Sequence, residues 1–389
     1  MSKTPTKRHE KENVSGHENE NTLGNVKTKE KHKIKILHIK PLLTDEELDK
    51  KEGDYFPESH YKTIITDNCD VYGILDDSLN DSLNDSLNDS LNGKKEYKLL
   101  LKFRKNVISN NICKNAYLAL EKHAQHKNRN RGAAAGKINI KKLPKYVGKV
   151  TQKGSFRVFY KSKSGQKTKD NIGNMVMSNI AGYYDKPDRN LYINKKGKTK
   201  THKTKKGKVT GQVTGKVTGQ VTGKRGFDVH GNALCRTTQF TANEVEKWEN
   251  TIPLIKEADK HFKRLVPDRH KIQIHRAHLT PKYQIANTAY STITVNYDWQ
   301  TACHKDRGDF REGFGNLIVL EKSKSIPGSC EDYKGGFLGF PKWGIAVDVR
   351  QGDFLCMDVH EWHCNTPIVG GTGRLSVVCY LRENMINCR

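Results

Sequence analysis

The run Gly-Gly-Thr-Gly-Arg-Leu-Ser-Val-Val-Cys-Tyr-Leu at residues 370–381 decides how the C-terminal half of this chain folds. A glycine-rich turn opens it, and an apolar segment containing β-branched residues follows, which predicts a strand. Similar strands are predicted upstream at residues 271–275, 291–297, 315–321, 344–349 and 353–358. Short strands separated by glycine-rich turns are typical of an antiparallel sandwich or jelly roll.

Helices are predicted ahead of most of these strands. Residues 111–123 carry apolar side chains at helical spacing. Thr241-Ala-Asn-Glu244 matches a capping box for a helix that ends near residue 250, and Pro253 is expected to open a second helix. The predicted class is therefore α+β, with a double-stranded β-helix (jelly-roll) core buttressed by helices.

Composition predicts two domains with a boundary near residue 95. Residues 1–94 are expected to form a disordered basic tail, because their first third is too polar to offset the entropy of ordering. Within this tail, residues 34–41 could form a strand or a docking segment, and residues 77–92 repeat Asp-Ser-Leu-Asn four times. The folded domain is expected at residues 95–389, interrupted by a basic low-complexity insertion at residues 195–224 that contains no acidic residue.

The charge of the chain favours a polyanionic partner. Lysine and arginine total 69 against 43 aspartates and glutamates, for a net charge of +26. Nine cysteines lie scattered without a Cys-x-x-Cys pair, which argues against a disulfide framework and for a reducing compartment. No apolar run suits a membrane span or a signal peptide. We therefore expect an intracellular protein that is not secreted, in the nucleus or at a site of DNA replication, and a monomer.

The candidate chemistry lies in a dispersed set of residues. His304-Lys-Asp306 is followed 59 residues later by His363, and Arg374 comes 11 residues after that. Two histidines and one carboxylate can bind a metal on one side and leave its other positions open, as in non-haem iron oxygenases. Arg374 offers a planar fork for a carboxylate, and Ser376 lies on the same strand face.

Three motifs together resemble the TET/JBP oxygenases, which include methylcytosine oxidases and the thymine hydroxylases of base J synthesis. They are Thr301-Ala-Cys-His-Lys-Asp-Arg-Gly-Asp-Phe310, Glu361-Trp-His-Cys-Asn-Thr-Pro367 and Arg374-Leu-Ser376. The resemblance runs from about residue 130 to the C-terminus. It implies an enzyme that uses Fe(II), 2-oxoglutarate and O2, with iron held by His304, Asp306 and His363 and the cosubstrate anchored by Arg374. His360 competes with His363 for the third ligand position, and the family pattern favours His363.

The resemblance also implies a flipped pyrimidine base in DNA as the substrate, because a base inside a duplex cannot reach a buried metal. By motif position, Asp309 and Arg382 reach the base. Asn296, eight residues before His304, is a candidate for a residue that borders the cosubstrate. An aspartate can accept a hydrogen bond from the cytosine 4-amino group, which favours 5-methylcytosine, although Arg382 stands where methylcytosine oxidases usually carry histidine. Thymine is the alternative base.

Two other classes stay open: a protein or RNA hydroxylase of the same fold, and a non-catalytic nucleic-acid-binding protein. In each nucleic-acid case, the basic insertion and the tail are expected to hold phosphates.

Overall fold

The structure is a computed structural model that describes residues 34–75, 96–164, 169–187, 191–193, 199–201, 227, 232–322 and 333–388. The helices in these ranges are α1 (Asp45–Lys50), α2 (Asn110–Ala124), α3 (Gln239–Asn243), α4 (Val245–Leu265) and α5 (Pro267–His278). The strands are β1 (Lys35–Ile39), β2 (Thr63–Ile65), β3 (Cys69–Leu75), β4 (Glu96–Arg104), β5 (Val147–Lys153), β6 (Val158–Ser162), β7 (Lys169–Ile172), β8 (Ser178–Pro187), β9 (Leu191–Ile193), β10 (Thr199–Thr201), β11 (Cys235–Thr237), β12 (Thr292–Tyr297), β13 (Gly315–Glu321), β14 (Lys334–Gly335), β15 (Leu338–Phe340), β16 (Ile345–Val347), β17 (Phe354–Met357), β18 (Cys364–Asn365), β19 (Ile368–Val369) and β20 (Arg374–Tyr380).

A large and a small sheet form the centre of the fold. The large sheet has nine strands in the order β1-β3-β4-β17-β13-β20-β12-β8-β11, and the small one has four in the order β18-β15-β16-β2. Side chains alternate along β13, so Ile318 and Leu320 lie in a core shared with α2 and α4, whereas Leu317 and Val319 pack with residues of the small sheet. The large sheet therefore lies between the helices and the small sheet. The α+β class with a β core is confirmed, and this arrangement is consistent with a jelly roll.

The predicted disordered tail through residue 94 is wrong for residues 34–75. β1 pairs in parallel with β3, β3 pairs with β4 inside the large sheet, and β2 pairs in parallel with β16 of the small sheet. Val71 and Leu48 are fully buried. The strand predicted at residues 34–41 is confirmed. The Asp-Ser-Leu-Asn repeats lie outside the described residues, as does the 195–224 insertion apart from β10, which pairs with β9.

Two helices differ from their predicted form. Pro253 lies inside α4 rather than at the start of a helix, and Thr238 caps α3 where a capping box was expected at Thr241. One lost backbone hydrogen bond at Pro253 is outweighed by the apolar face of α4 that packs on the sheet. The alternating residues 271–275 lie in α5, not in a strand, because five residues of alternation do not distinguish the two periods.

Cys235 and Cys388 form a disulfide between β11 and the C-terminal segment. The spacing of the scattered cysteines did not predict this pair, because its two members lie 153 residues apart. The other six described cysteines are free and buried. Within the described ranges, no helix combines the length and the apolar character that crossing a membrane requires.

Candidate active site

Backbone pairing brings His304, Asp306 and His363 together. His304 and His363 exchange two backbone hydrogen bonds of 3.1 and 3.0 Å, and the Asp306 amide donates to the Val359 carbonyl at 3.0 Å. The Asp306 carboxylate lies 3.6 Å from Nε2 of each histidine. The candidate ligand atoms of the three residues all lie within 4.8 Å of one another, so the group could hold a metal ion.

Both histidines direct Nε2 toward Asp306. Nδ1 of His304 lies 2.7 Å from the Ala302 carbonyl, and Nδ1 of His363 lies 2.9 Å from the Glu361 carbonyl. A carbonyl can only accept, so each Nδ1 carries a proton, and Nε2 is the atom that the neutral ring offers to a metal. Burial, with His363 close by, lowers the pKa of His304 to about 4, so its ring is neutral near pH 7. Two neutral imidazoles and a carboxylate fit Fe(II).

His360 lies outside this group, as the sequence pattern favoured. Its Nδ1 is 3.3 Å from the Asp358 carboxylate, and its Nε2 is 3.3 Å from the Asp309 carbonyl. The hydrogen bond to Asp358 raises the pKa of His360. Asp358 also pairs with Lys98 at 2.9 Å, so His360 belongs to a partly exposed ionic network separate from the three clustered residues.

Arg374 is a buried cation without an acidic partner in the described part of the chain. It is 3% exposed, its Nη2 donates to the Gly336 carbonyl at 3.1 Å, and its guanidinium lies 5.8 Å from the Tyr333 ring. Its buried Nε has no hydrogen-bond partner among these residues. Leaving a charge buried and unpaired is costly, so this arrangement fits an anionic ligand such as a carboxylate.

Asn296 and Ser376 lie side by side on β12 and β20. The Asn296 amide donates to the Ser376 hydroxyl at 3.0 Å and accepts from Ser178 at 2.5 Å. All three residues line a cavity of about 230 Å³ that also contains the metal group, Asp309 and Arg382. Arg374 is not among the lining residues; it lies on the same face of β20 as Ser376, two positions away.

Asp309 and Arg382 meet because the segment around Gly308 pairs with the end of β20. Nη1 of Arg382 lies 3.7 Å from Asp309, and its Nη2 donates to both oxygens of Asp185 at 3.3 and 3.2 Å. A Cβ at Gly308 would lie 2.8 Å from Nη1, so the guanidinium rests directly on that glycine. Burial and the nearby Asp306 raise the pKa of Asp309, and Arg382 opposes this rise. The two residues expected to contact a base thus already form an ion pair.

Asp185 and Arg131 belong to the site and were missed by sequence reasoning. Asp185 lies on β8, its side chain is only 3% exposed, and it forms an ion pair with Arg382. Arg131 lines the cavity and donates from Nε to the Ser178 carbonyl at 3.3 Å. The small-residue run at residues 132–136 was an available signal for Arg131, since Ala133 and Ala134 also form the cavity wall. No comparable pattern marks Asp185.

Comparison with known proteins identifies the domain that holds this site. Residues 225–383 match the Tet_JBP family, described as the oxygenase domain of the 2OGFeDO superfamily. This part of the chain is similar to a TET/JBP oxygenase domain. The resemblance carried by the three sequence motifs is thereby confirmed, and the family implies Fe(II) and 2-oxoglutarate as cofactor and cosubstrate.

Relatives of the TET/JBP domain include two kinds of trypanosomatid protein. The bifunctional helicase and thymine dioxygenase JBP2 of Leishmania major is 35% identical over 156 residues, which cover 39% of this chain and 13% of the relative. The thymine dioxygenase JBP1 of Trypanosoma brucei brucei is 32% identical over 164 residues, or 40% of this chain and 18% of the relative. The chain therefore spans less than a fifth of either relative. A solved structure of NgTET1 in complex with 5mC DNA aligns over 74% of this chain and 73% of that chain, with 12% identity and a TM-score of 0.38.

Proposed function

We propose that this chain is an Fe(II)- and 2-oxoglutarate-dependent dioxygenase that oxidises the 5-methyl group of thymine in DNA. The observation that carries the proposal is the His304, Asp306 and His363 group together with the buried Arg374, which has no acidic partner in the described part of the chain. One site thus offers ligands for iron and a cation for a carboxylate. The relatives named as thymine dioxygenases support the choice of base.

In this proposal, His304, Asp306 and His363 hold iron, and Arg374 pairs with the distal carboxylate of 2-oxoglutarate. The Ser376 hydroxyl and the Asn296 amide supply further hydrogen bonds beside the cosubstrate. With iron, 2-oxoglutarate and O2 bound, the site supplies insertion of one oxygen atom into a C–H bond, with 2-oxoglutarate converted to succinate and CO2. The cavity of about 230 Å³ is too small for a duplex, so the base enters flipped out of the stack.

The Asp309 and Arg382 pair presents an acceptor beside a donor to the base. Thymine offers N3–H and O4, so Asp309 can accept from N3–H while Arg382 donates to O4. Asp309 has a carboxyl oxygen free to accept whether or not it is protonated. Asp185 holds Arg382 from the other side and thereby fixes where the donor points. A specificity site built this way penalises a base that leaves one partner unpaired.

5-Methylcytosine is the second candidate base, and Asp309 can accept a hydrogen bond from it as well. With the two contacts exchanged, Asp309 accepts from the 4-amino group and Arg382 donates to N3 of cytosine. Each register therefore fits one of the two bases only, because cytosine in the register drawn for thymine would face Asp309 with an N3 that has no hydrogen to donate.

Three duplexes of one sequence separate the candidates. One contains thymine and unmodified cytosine, the second contains uracil in place of thymine together with 5-methylcytosine, and the third contains uracil and cytosine only. After incubation with Fe(II) and 2-oxoglutarate, mass spectrometry of the nucleosides is expected to show 5-hydroxymethyluracil from the first duplex. If oxidised 5-methylcytosine appears from the second duplex and no product appears from the first, the substrate is 5-methylcytosine rather than thymine. No oxidised base from any duplex would contradict the proposal.

Replacing Asp309 with asparagine is expected to relax the choice of base. The amide can present either an acceptor or a donor, so the penalty for the wrong base, on the order of 1–3 kcal/mol, falls away. The ratio of kcat/KM for the thymine and methylcytosine duplexes should fall by roughly tenfold or more. Asp268→Asn, at an exposed position on α5, is the matched control. An unchanged ratio in Asp309→Asn would show that another residue selects the base.

A further inference from the structure

A long stretch ahead of the oxygenase core carries charge of one sign only. Every charged residue from 122 to 169 is a lysine or an arginine, whereas about five acidic residues would be expected at the average composition of the chain. The structure describes most of this stretch, which forms the end of α2, the cavity-lining segment around Arg131, and strands β5 and β6; β7, which completes the sheet, carries one acidic residue, Asp170. Its charge is thus displayed on a defined surface.

The sheet β5-β6-β7 has one apolar face and one basic face. Val147, Val158, Tyr160 and Ile172 form a buried cluster on the first face. On the other, Lys149 of β5 lies directly opposite Lys161 of β6, and Phe159, 38% exposed, lies two positions from Lys161. Both lysines are exposed. We call this second face of β5 and β6 the basic platform.

Two like charges directly opposite one another destabilise an antiparallel pair. No carboxylate of the described residues forms an ion pair with Lys149 or Lys161, so their repulsion stays uncompensated within that part of the protein. An anion bound between them would relieve it. Lysines interleaved with an exposed aromatic ring suit a nucleic-acid strand, whose phosphates pair with the cations and whose bases or sugars pack on the ring.

The basic platform is tied to the rim of the active-site cavity. Arg157 at the start of β6 donates to Asn171 at 3.2 Å and to the Arg129 carbonyl at 3.3 Å. The next residues, Asn130 and Arg131, line the cavity. Asn174, just after β7, donates to the carbonyls of Ala135 and Gly136 at 2.8 and 3.1 Å. The sheet that carries the basic platform is therefore joined directly to the segment that lines the cavity.

We propose that the basic platform, centred on Lys149 and Lys161, binds the phosphate backbone of the DNA whose base enters the cavity. This proposal rests on the proposed function, and it assigns the backbone contact to an ordered sheet rather than to the insertion at residues 195–224. Contacts to phosphate fix the position of a duplex without selecting its sequence. The basic platform thus sets affinity and register, and base choice stays with Asp309 and Arg382.

The test measures binding of the full chain to a labelled thymine-containing duplex by fluorescence anisotropy, over roughly 50 to 200 mM salt. In Lys149→Gln/Lys161→Gln, the slope of log affinity against log salt should become shallower by about two, one for each lost phosphate contact. Affinity at the lowest salt should fall tenfold or more. Lys149→Arg/Lys161→Arg should keep the wild-type slope. The matched control is Lys256→Gln/Lys263→Gln, which removes two exposed lysines from α4.

The outcomes separate the two proposals. The Lys149→Gln/Lys161→Gln variant could bind the duplex with the same affinity and the same salt dependence as the wild type. That result would overturn the proposed role of the basic platform and leave the proposed function standing. An equal loss in the α4 control would also overturn it, because net charge alone would then explain binding. A wild type that binds no duplex at any salt would overturn the proposed function and the basic platform together. Thermal unfolding of each variant confirms that the compared proteins are folded.

Discussion

Alanine at His304, Asp306 or His363 is expected to abolish conversion of 2-oxoglutarate to succinate, whereas His360→Ala should retain activity. Each of the first three residues contributes one of the clustered ligand atoms. Two remaining protein ligands hold a divalent ion much more weakly than three, and the vacated position would be open to water. Succinate formation measures turnover, and titration calorimetry with Fe(II) under anaerobic conditions measures metal binding without it.

His360→Ala is the matched control because it removes an imidazole from the same segment without touching the metal group. Its ring contacts Asp358 and the Asp309 carbonyl, so its loss should lower stability more than metal affinity. Metal binding lost in His360→Ala but kept in His363→Ala would reverse the assignment. Metal binding kept in all four variants would place the ion elsewhere.

The strands of the oxygenase core could be predicted because each has a local signature. Residues 317–320 and 377–380 are continuous apolar runs downstream of glycines, and they lie in β13 and at the end of β20, two central strands of the large sheet. A strand covered on both faces needs apolar residues at every position, so composition alone identifies it. The misassigned segment at residues 271–275 is short and half-exposed, and there helix and strand periods give the same pattern.

The role of residues 34–75 could not be predicted from their composition. They are polar overall, and their strands are short: β2 has three residues and lies at the edge of the small sheet. Such strands are stabilised by partners far along the chain, here β16 and, for β3, the long strand β4. Local composition carries no information on such distant pairing. Because the sequence on either side of residues 34–75 is polar, composition predicted disorder for a segment that is folded.

The candidate site divides in the same way. His304, Asp306, His363 and Arg374 could be chosen from residue type and chain order because the chemistry of metal and carboxylate binding restricts both. Asp185 could not be chosen in this way. It contacts Arg382 only because β8 lies one strand away from β20 in the sheet, with β12 between them. The ion pair of Asp309 with Arg382 depends on an isolated backbone bridge between these two residues, which the sequence around either residue does not predict.

Arg374→Lys is expected to weaken 2-oxoglutarate binding while leaving the charge in place. The guanidinium sits buried with Nη2 on the Gly336 carbonyl and Nε without a partner, so a carboxylate could approach it along its planar edge. A lysine supplies one compact charge and loses the second parallel hydrogen bond. One charge-assisted hydrogen bond contributes about 1.5–3 kcal/mol. The apparent KM for 2-oxoglutarate should therefore rise roughly tenfold or more, and 2-oxoglutarate should stabilise the variant less against heat than the wild type.

Arg350→Lys provides the matched control. Arg350 stacks on the same Tyr333 ring, at 4.2 Å, but already pairs with Asp348 at 2.5 Å. It has its own counter-ion and needs no ligand carboxylate, so its substitution should leave the KM for 2-oxoglutarate near the wild-type value. An equal rise in both variants would trace the effect to the packing around Tyr333. An unchanged KM in Arg374→Lys would show that another cation, with Arg131 the first to examine in the cavity wall, binds the cosubstrate.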